Sequence, residues 1–506
     1  MKLVDFLYLQ QKMLERVRFA PSPTGALHIG GLRTALFNYL YSKKNKGTFI
    51  LRLEDTDQKR LVSGSEEYIE KSLKWAGITL DEGPSKGGPF GPYRQSERLR
   101  IYKEKVNLLL KSGKAYYAFD KTDTLSNLRL SYEQKGEVFK YDSSVRDNLD
   151  NSLNISQKEA EKRIKNEPYV IRIKVEKGKT KVKDLLRGEI IIDNSILDDK
   201  VLIKADGFPT YHLANVVDDY LMKITTVIRG EEWLPSLTLH KLIYNAFNWV
   251  APKFVHLPLI LKGNGKGKLS KRDAKIGGFP LFPINWKKEP GFKELGFTNS
   301  ALINYLALLG WSKSSEKEIY TIDELVRDFK LSGLQKGGAK FDYEKAKWFN
   351  HQHLSLMNYD KFQSLYPDEL SKLTLVYKNR TESIFDLVKG RFSLVNDFKN
   401  ETDFFVDDPK EYDASIIKTL SEYNVIELIT EIEKSINKNN LSNIKDELAA
   451  IAVRKKTPIK ITMQILRVAI IGRLKGPDIL LSLKILGKSV TLNRITSLKK
   501  FIKNNQ

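Results

Sequence analysis

The sequence predicts an α/β fold: a doubly wound sheet interrupted by an inserted α+β domain and followed by an all-helical C-terminal half. Three observations carry that prediction. Near the start, a short apolar strand at residues 17–20 is broken by Pro21, Pro23 and Gly25, and a helical period over 27–41 leads to a second strand at 48–53. Strand, turn, helix, strand is the opening of a doubly wound, nucleotide-binding sheet. From about residue 116 the pattern changes, and strand and helix signals of the first kind resume only at 210–219, 225–229 and 236–247. Beyond Asp342 there is little strand-like alternation and no short repeat of the solenoid kind.

Taken in order, residues 13–115 form the first half of the sheet domain, with helices at 65–76 and 97–112 around a Gly/Pro-rich loop at 83–92. Residues 116–207 are the insertion, built from polar helices over 133–165 and strands at 169–175, 188–193 and 200–204. Residues 208–262 complete the sheet domain. Residues 263–341 begin with a glycine-rich loop in which no strand leads directly, and 342–506 are helical. Met1 to Gln11 precede a second methionine, Met13, after which the sequence at once becomes strand-like, so Met1 and Met13 both stand as start residues.

A chain of 506 residues, 41% hydrophobic and 29% charged, is long enough for roughly three to five domains and has an ordinary globular composition. Its 85 Lys and Arg against 62 Asp and Glu leave a net charge of +23, which favours a polyanionic partner such as a nucleic acid; the bland alternative is a lysine-rich proteome. Cysteine is absent, which excludes disulfides, cysteine nucleophiles and thiolate zinc sites. No apolar stretch approaches the ~20 residues of a membrane span, and the start lacks a secretory signal, so the sequence reads as soluble and cytoplasmic, without a membrane partner.

Two motifs carry chemistry. The first is Pro21-Ser22-Pro23-Thr24-Gly25-Ala26-Leu27-His28-Ile29-Gly30-Gly31, placed where a strand hands over to a helix N-terminus. Free N–H groups and the positive end of the helix dipole attract phosphate there, and His28 can donate to a phosphate oxygen. Gly30 and Gly31 lack side chains, so a flat base can lie on the helix. The second is Gly263-Asn264-Gly265-Lys266-Gly267-Lys268-Leu269-Ser270-Lys271-Arg272. Its glycines make it mobile, and Lys268, Lys271 and Arg272 supply cations that can close over a triphosphate. The spacing is neither a dinucleotide fingerprint nor a P-loop.

Together these elements resemble the HIGH and KMSKS signatures of class I aminoacyl-tRNA synthetases. The fuller wording, Arg18-Phe19-Ala20-Pro21-Ser22-Pro23-Thr24-Gly25 with Leu53-Glu54-Asp55-Thr56-Asp57, Gly91-Pro92-Tyr93-Arg94-Gln95-Ser96-Glu97-Arg98 and Tyr211-His212-Leu213-Ala214-Asn215, is similar to the bacterial glutamyl-tRNA synthetases. The resemblance implies a Rossmann-like catalytic domain, an inserted domain for the tRNA acceptor end, a stem-contact domain after the KMSKS-type loop and a helical anticodon-binding half. It implies that Arg18, Ala20, Ser22, Glu54, Tyr211, Asn215 and Arg229 line a glutamate pocket. The chemistry agrees, since two carboxylates and an ammonium need two separated cations and an anion. The alternative for Arg18 and Glu54 is a mutual structural ion pair. Tyr211 and Asn215, four apart on a predicted helix, share one face.

The ATP site implied by the resemblance comprises His28, Gly30, Gly31, Glu232, Trp233 and Ile260, with Lys268, Ser270, Lys271 and Arg272 on the phosphate side; plain core packing is the alternative for Trp233. His28, Lys268, Lys271 and Arg272 are the residues expected to act in catalysis. The implied reaction is activation of L-glutamate by ATP to glutamyl-adenylate, then transfer to the 3' end of tRNA(Glu), with Mg2+ bridging phosphates rather than held in a protein cage. The resemblance also suggests a monomer whose glutamate activation waits for tRNA. Some family members carry a cysteine-rich zinc site in the inserted domain, near the place of Tyr116-Tyr117-Ala118-Phe119; here no such zinc site is possible, and the domain is expected to be held by packing alone. By resemblance Arg187-Gly188 and Asp198-Asp199 grip the acceptor end, while Arg391, Arg467 and Pro477 contact the anticodon.

An arginine at the Arg391 place usually goes with rejection of glutamine tRNA, against the alternative of a solvated helix-face cation. The competing enzyme reading is a non-discriminating synthetase that also charges tRNA(Gln). A glutaminyl enzyme is disfavoured because Arg18 would face a neutral amide and because the C-terminal part is helical. A catalytically dead RNA-binding derivative is disfavoured by intact His28, Lys271, Glu54 and Arg229.

Overall fold

The computed structural model describes residues 14–313, 316–412, 423–438 and 441–504; the start-residue reading at Met1 and Met13 lies outside the described residues. The chain divides into two compact units, the first running to Lys293 and taking in Leu302–Tyr343, the second formed by Glu294–Ala301 and the chain from Glu344.

In the first unit, strands β1 (Arg16–Phe19) and β2 (Thr48–Leu51) pair in parallel around the helix Ile29–Lys44. The two apolar residues of β1, Val17 and Phe19, are buried, as are Leu27 after it and Phe49, Ile50 and Leu51 of β2. Continuous burial is what a strand covered on both faces requires. The insertion contributes a three-stranded antiparallel sheet of β3 (Ala115–Ala118), β4 (Val170–Ile173) and β7 (Val201–Ile203). Between them, β5 (Lys179–Asp184) and β6 (Gly188–Asp193) form a hairpin that does something else. It joins β8 (Thr226–Gly230) and β9 (Lys253–Leu257) in one sheet of order β6-β5-β9-β8. The 116–207 stretch therefore feeds two sheets, one of them the catalytic-side sheet. β1 adjoins that sheet through the Thr225 N–H, which donates to Arg16 O at 2.9 Å.

The polar run 133–165, expected to hold helices, is α-helical only at its two ends, in Thr122–Gln134 and Gln157–Asn166. Asp142, Asn151 and Asn154 between them turn their side chains onto nearby backbone groups, which competes with helix formation. The expectation of packing alone is also corrected. Asp199, fully buried, accepts from Tyr116 Oη at 2.7 Å, from Arg146 Nη1 at 2.9 Å and from the Val175 N–H at 2.9 Å. Arg172 donates to Asp199 O and lies 3.8 Å over the Tyr141 ring. A satisfied buried carboxylate thus ties four segments of the insertion together, and at this depth Asp199 has no surface to offer an acceptor stem.

A strand does lead into the glycine-rich loop. β10 (Ile260–Leu261) ends just before it and pairs in parallel with β11 (Ala339–Lys340). Two residues are too few for a periodic signal. The second unit has helices and no strand among its described residues from Glu344, around a core rich in phenylalanines in tilted ring contact: Phe362 lies 4.8 Å from Phe385 and 5.0 Å from Phe398, centroid to centroid.

Candidate active site

A cavity of about 1060 Å³ opens where the carboxyl ends of β1, β8 and β9 come together, the place where open α/β sheets bind ligands. Its wall contains Arg18, Ala20, Ser22, His28, Gly30, Gly31, Glu54, Tyr211, Asn215, Arg229, Glu232, Trp233, Ile260, Lys268 and Lys271. These residues come from separate stretches of the chain and are gathered by the sheet. Two expected members are not in the wall. Ser270 is the N-cap of the short helix Lys271–Gly277, its N–H donating to Asp273 Oδ2 at 3.0 Å, and Arg272 is exposed on the first turn beyond it.

The nucleotide corner is organised by His28. As N-cap of the helix Ile29–Lys44, its Nδ1 accepts from the N–H groups of Gly30 at 3.0 Å and Gly31 at 3.3 Å. Desolvation, with Lys268 and Lys271 nearby, lowers its pKa from 6.5. The ring is therefore neutral, and with Nδ1 accepting, its proton sits on Nε2, free to donate. A Cβ at Gly30 would stand 2.9 Å from the His28 ring and one at Gly31 2.5 Å from Leu27. The glycines thus first make room for the cap and the turn, in addition to facing the cavity. Lys268 reaches Glu232 at 3.2 Å, bringing the glycine-rich loop across the mouth.

The other corner is electrostatic. Arg18, 2% exposed, donates to Asp219 through Nε at 2.9 Å and Nη2 at 3.2 Å. Glu54 accepts from Arg52 Nη2 at 3.0 Å and from Asn215 Nδ2 at 2.9 Å, and burial, which outweighs Arg52 and Arg18, raises its pKa from 4.5. Arg18 and Glu54 are thus not each other's partner. Arg52 ties the two sets together with a 2.7 Å bond to Asp219.

Arg229, 5% exposed, stands apart from this network. Its Nη1 donates to Tyr211 Oη at 2.9 Å and meets His240 Nδ1 at 3.3 Å, its Nε donates to His256 Nε2 at 3.0 Å, and its Nη2 donates to Trp233 O at 3.3 Å. Among the described residues no carboxylate pairs with it. Burial lowers the pKa of both His240 and His256, so these contacts are neutral. The result is a buried cation whose charge is unmatched by a directly paired anion. Trp233 is 40% exposed and stacks on Tyr211 with centroids 4.2 Å apart, which makes it a wall residue rather than core.

Sequence reasoning missed Arg52, Asp218, Asp219, His240, His256 and Arg33. The signal was present in part: Arg52 follows directly on the apolar strand β2, and Asp218-Asp219 lie inside the helix Tyr211–Leu221. Charges in such places are buried and need partners. Arg33, whose Nη1 donates to Leu309 O at 2.8 Å and Nη2 to Pro258 O, holds the backbone beside Ile260. Of the expected tRNA contacts, Arg187 is paired with Glu231, which also accepts from the Leu259 N–H at 2.9 Å. In the second unit, Arg467 Nη1 donates to Pro477 O at 2.7 Å, and burial together with Arg391 lowers its pKa, so the sequence-predicted residues there lie together. Arg391 is paired with Glu401 at 2.7 Å.

The family described as "tRNA synthetases class I (E and Q), catalytic domain" matches residues 15–348, and "Anticodon binding domain" matches residues 351–499. The chain belongs to the class I tRNA synthetases of this E and Q group. Its relatives include the glutamate–tRNA ligase of Christiangramia forsetii, 47% identical over 492 residues that cover 95% of this chain and 97% of that protein. That of Flavobacterium psychrophilum is 47% identical over 493 residues, covering 95% and 98%. The crystal structure of a glutamate tRNA ligase from Elizabethkingia meningosepticum in complex with its amino acid superposes with a TM-score of 0.92 at 43% identity, covering 97% of this chain and 100% of that one. The resemblance carried by the motifs is borne out. Among the described residues no helix is long and apolar enough to cross a membrane.

Proposed function

We propose that this chain is a glutamate–tRNA ligase that activates L-glutamate with ATP and transfers it to the 3' end of tRNA(Glu). The observation that carries the reading is Arg229. A buried guanidinium held only by neutral groups attracts an anion strongly, because low dielectric strengthens the pair and a planar fork fits a carboxylate. Arg18, already matched by Asp219, is a poorer anchor. In this reading the substrate's side-chain carboxylate meets Arg229 and Tyr211, while Glu54 and Asn215 face its ammonium. That ammonium would draw Glu54 back towards its ionised form.

The α-carboxylate oxygen then attacks the α-phosphorus of ATP in line, an O–P bond forms, and pyrophosphate leaves with the electron pair of the broken P–O bond. His28 Nε2–H, Lys268 and Lys271 stabilise the charge on the phosphates. Gly30, Gly31, Glu232, Trp233 and Ile260 bound the nucleotide. A ribose hydroxyl of the tRNA next attacks the activated carbonyl, and AMP departs. Among the described residues no three His, Asp or Glu side chains are grouped to hold a metal, and the phosphate corner is lined by cations. Mg2+ in this reading arrives on the phosphates as part of the nucleotide substrate. The second unit reads the anticodon through Arg391, Arg467 and Pro477, and the enzyme works in the cytoplasm as a monomer.

The test is charging of purified tRNA(Glu) with radiolabelled glutamate, ATP and Mg2+. Acid-precipitable label that depends on ATP and tRNA(Glu) is expected; its absence from a folded preparation overturns the reading.

A further inference from the structure

Beneath the pocket, a buried chain of hydrogen bonds runs from the turn between β5 and β6 to Arg229. Asp184, the last residue of β5, and His256 in β9 are both fully buried. Asp184 Oδ2 accepts from His256 Nδ1 at 2.8 Å and from the His256 N–H at 3.1 Å. Its Oδ1 accepts from the Leu186 N–H at 2.9 Å and the Arg187 N–H at 2.7 Å. No guanidinium or ammonium pairs with it among the described residues. Although burial alone would raise its pKa, the His256 side chain and the Arg187 and Leu186 N–H groups hold it below 3.8, so the carboxylate is ionised and can only accept.

That fixes the tautomer of the ring. An acceptor-only carboxylate requires the proton of neutral His256 on Nδ1, which leaves a lone pair on Nε2. This lone pair receives the Arg229 Nε–H at 3.0 Å. The Nε edge of the guanidinium is thereby turned inward, and the Nη edge is left towards Tyr211 and the cavity. In the opposite tautomer an Nε2–H would face the Arg229 Nε–H, donor against donor, and the guanidinium would have to rotate or withdraw. A carboxylate that orients an imidazole, which in turn orients the group that meets the ligand, is the logic of outer-shell support at metal and catalytic sites.

We propose that Asp184 and His256 are positioning residues for amino-acid recognition, setting by tautomer which edge of Arg229 is presented to the side-chain carboxylate of the substrate. The proposal rests on the reading of Arg229 as the carboxylate anchor. It assigns part of the amino-acid specificity to a strand that enters from the inserted stretch, far in sequence from the pocket motifs. Neither residue touches substrate.

The test uses the full-length enzyme with tRNA(Glu). Asp184→Asn keeps shape but has an amide that must present N–H to at least one of the four donors. The Michaelis constant for glutamate should rise between about tenfold and a hundredfold, with that for ATP within twofold of the parent. His256→Gln, which can return an acceptor to the place of Nε2, should stay closer to the parent in the same constant than His256→Asn, which cannot. A merely structural role would instead lower the melting temperature or the active fraction and leave the glutamate constant unmoved. The proposal is overturned if folded Asp184→Asn keeps a glutamate constant within twofold of the parent. Should that variant fail to fold, equal constants for the two His256 variants overturn it as well. A parent enzyme that shows no glutamate-dependent charging overturns the reading of the pocket, and the proposal with it; a parent that charges normally confines the failure to Asp184 and His256.

Discussion

The Arg18 guanidinium lies against Asp219 with two bonds, at 2.9 and 3.2 Å, and both side chains are almost completely buried. Arg52 shares the same carboxylate. One carboxylate is therefore shared by two cations behind the cavity, Arg52 being held by Glu54 as well. Although burial would raise its pKa, Arg18 and Arg52 hold Asp219 below 3.8. Its removal leaves buried Arg18 without its carboxylate partner and takes one of the partners of Arg52. Asp219→Ala should cost about 3–5 kcal/mol in denaturant unfolding at neutral pH. Because the folded-state pKa is depressed, the stability it contributes is present above about pH 4 and is lost as pH falls through the folded value, so the gap between parent and variant should narrow as the pH is taken down from about 4. A gap that stays constant with pH would disprove the assignment.

Arg229 is the counterpart with which, among the described residues, no carboxylate pairs. Arg229→Leu should raise the Michaelis constant for glutamate by roughly tenfold to a hundredfold or more, the worth of charged hydrogen bonds lost at a desolvated site. Thermal stability should change little or improve, since an unmatched buried charge is removed. Steady-state charging kinetics and a melting curve on the same preparation check both halves.

His28 has two tasks that substitutions can separate. Asparagine is a good N-cap but cannot reach the phosphates as a ring does. His28→Asn should keep stability within about 0.5 kcal/mol, whereas His28→Ala should lose about 1 kcal/mol with the cap. Both should slow pyrophosphate exchange by about a hundredfold or more, measured with tRNA present. Exchange at the parent rate in His28→Asn would remove the ring from the chemistry.

Arg391 and Glu401 form an ion pair on a partly exposed surface of the second unit, at 2.7 Å. Such pairs contribute about 0–1 kcal/mol, so Arg391→Gln should fold normally. If Arg391 reads the third anticodon base, the variant should charge a tRNA(Glu) altered at that base more nearly as well as the parent tRNA; discrimination that does not change would return Arg391 to the status of a surface cation.

Motif and period alone determined the strand-to-helix turn at His28, the loop with Lys268 and Lys271, the pairing of Tyr211 with Asn215 on one helix face, and the helical C-terminal part. Each depends on residues close in sequence, where backbone geometry dictates which side chains meet. The membership of Arg18, Glu54 and Arg229 in one site was also legible, through the resemblance that the motifs carry. What each of them bonds to was decided by tertiary structure only. Arg18 and Asp219 are 201 positions apart, and Asp184 reaches His256 across 72. Partners at such separations are chosen by which strands lie side by side, and a two-residue strand or an inserted hairpin leaves no periodic trace of that choice. In a dry interior every charge takes the nearest satisfying group. Which cation is already neutralised and which awaits a ligand is therefore a property of the fold.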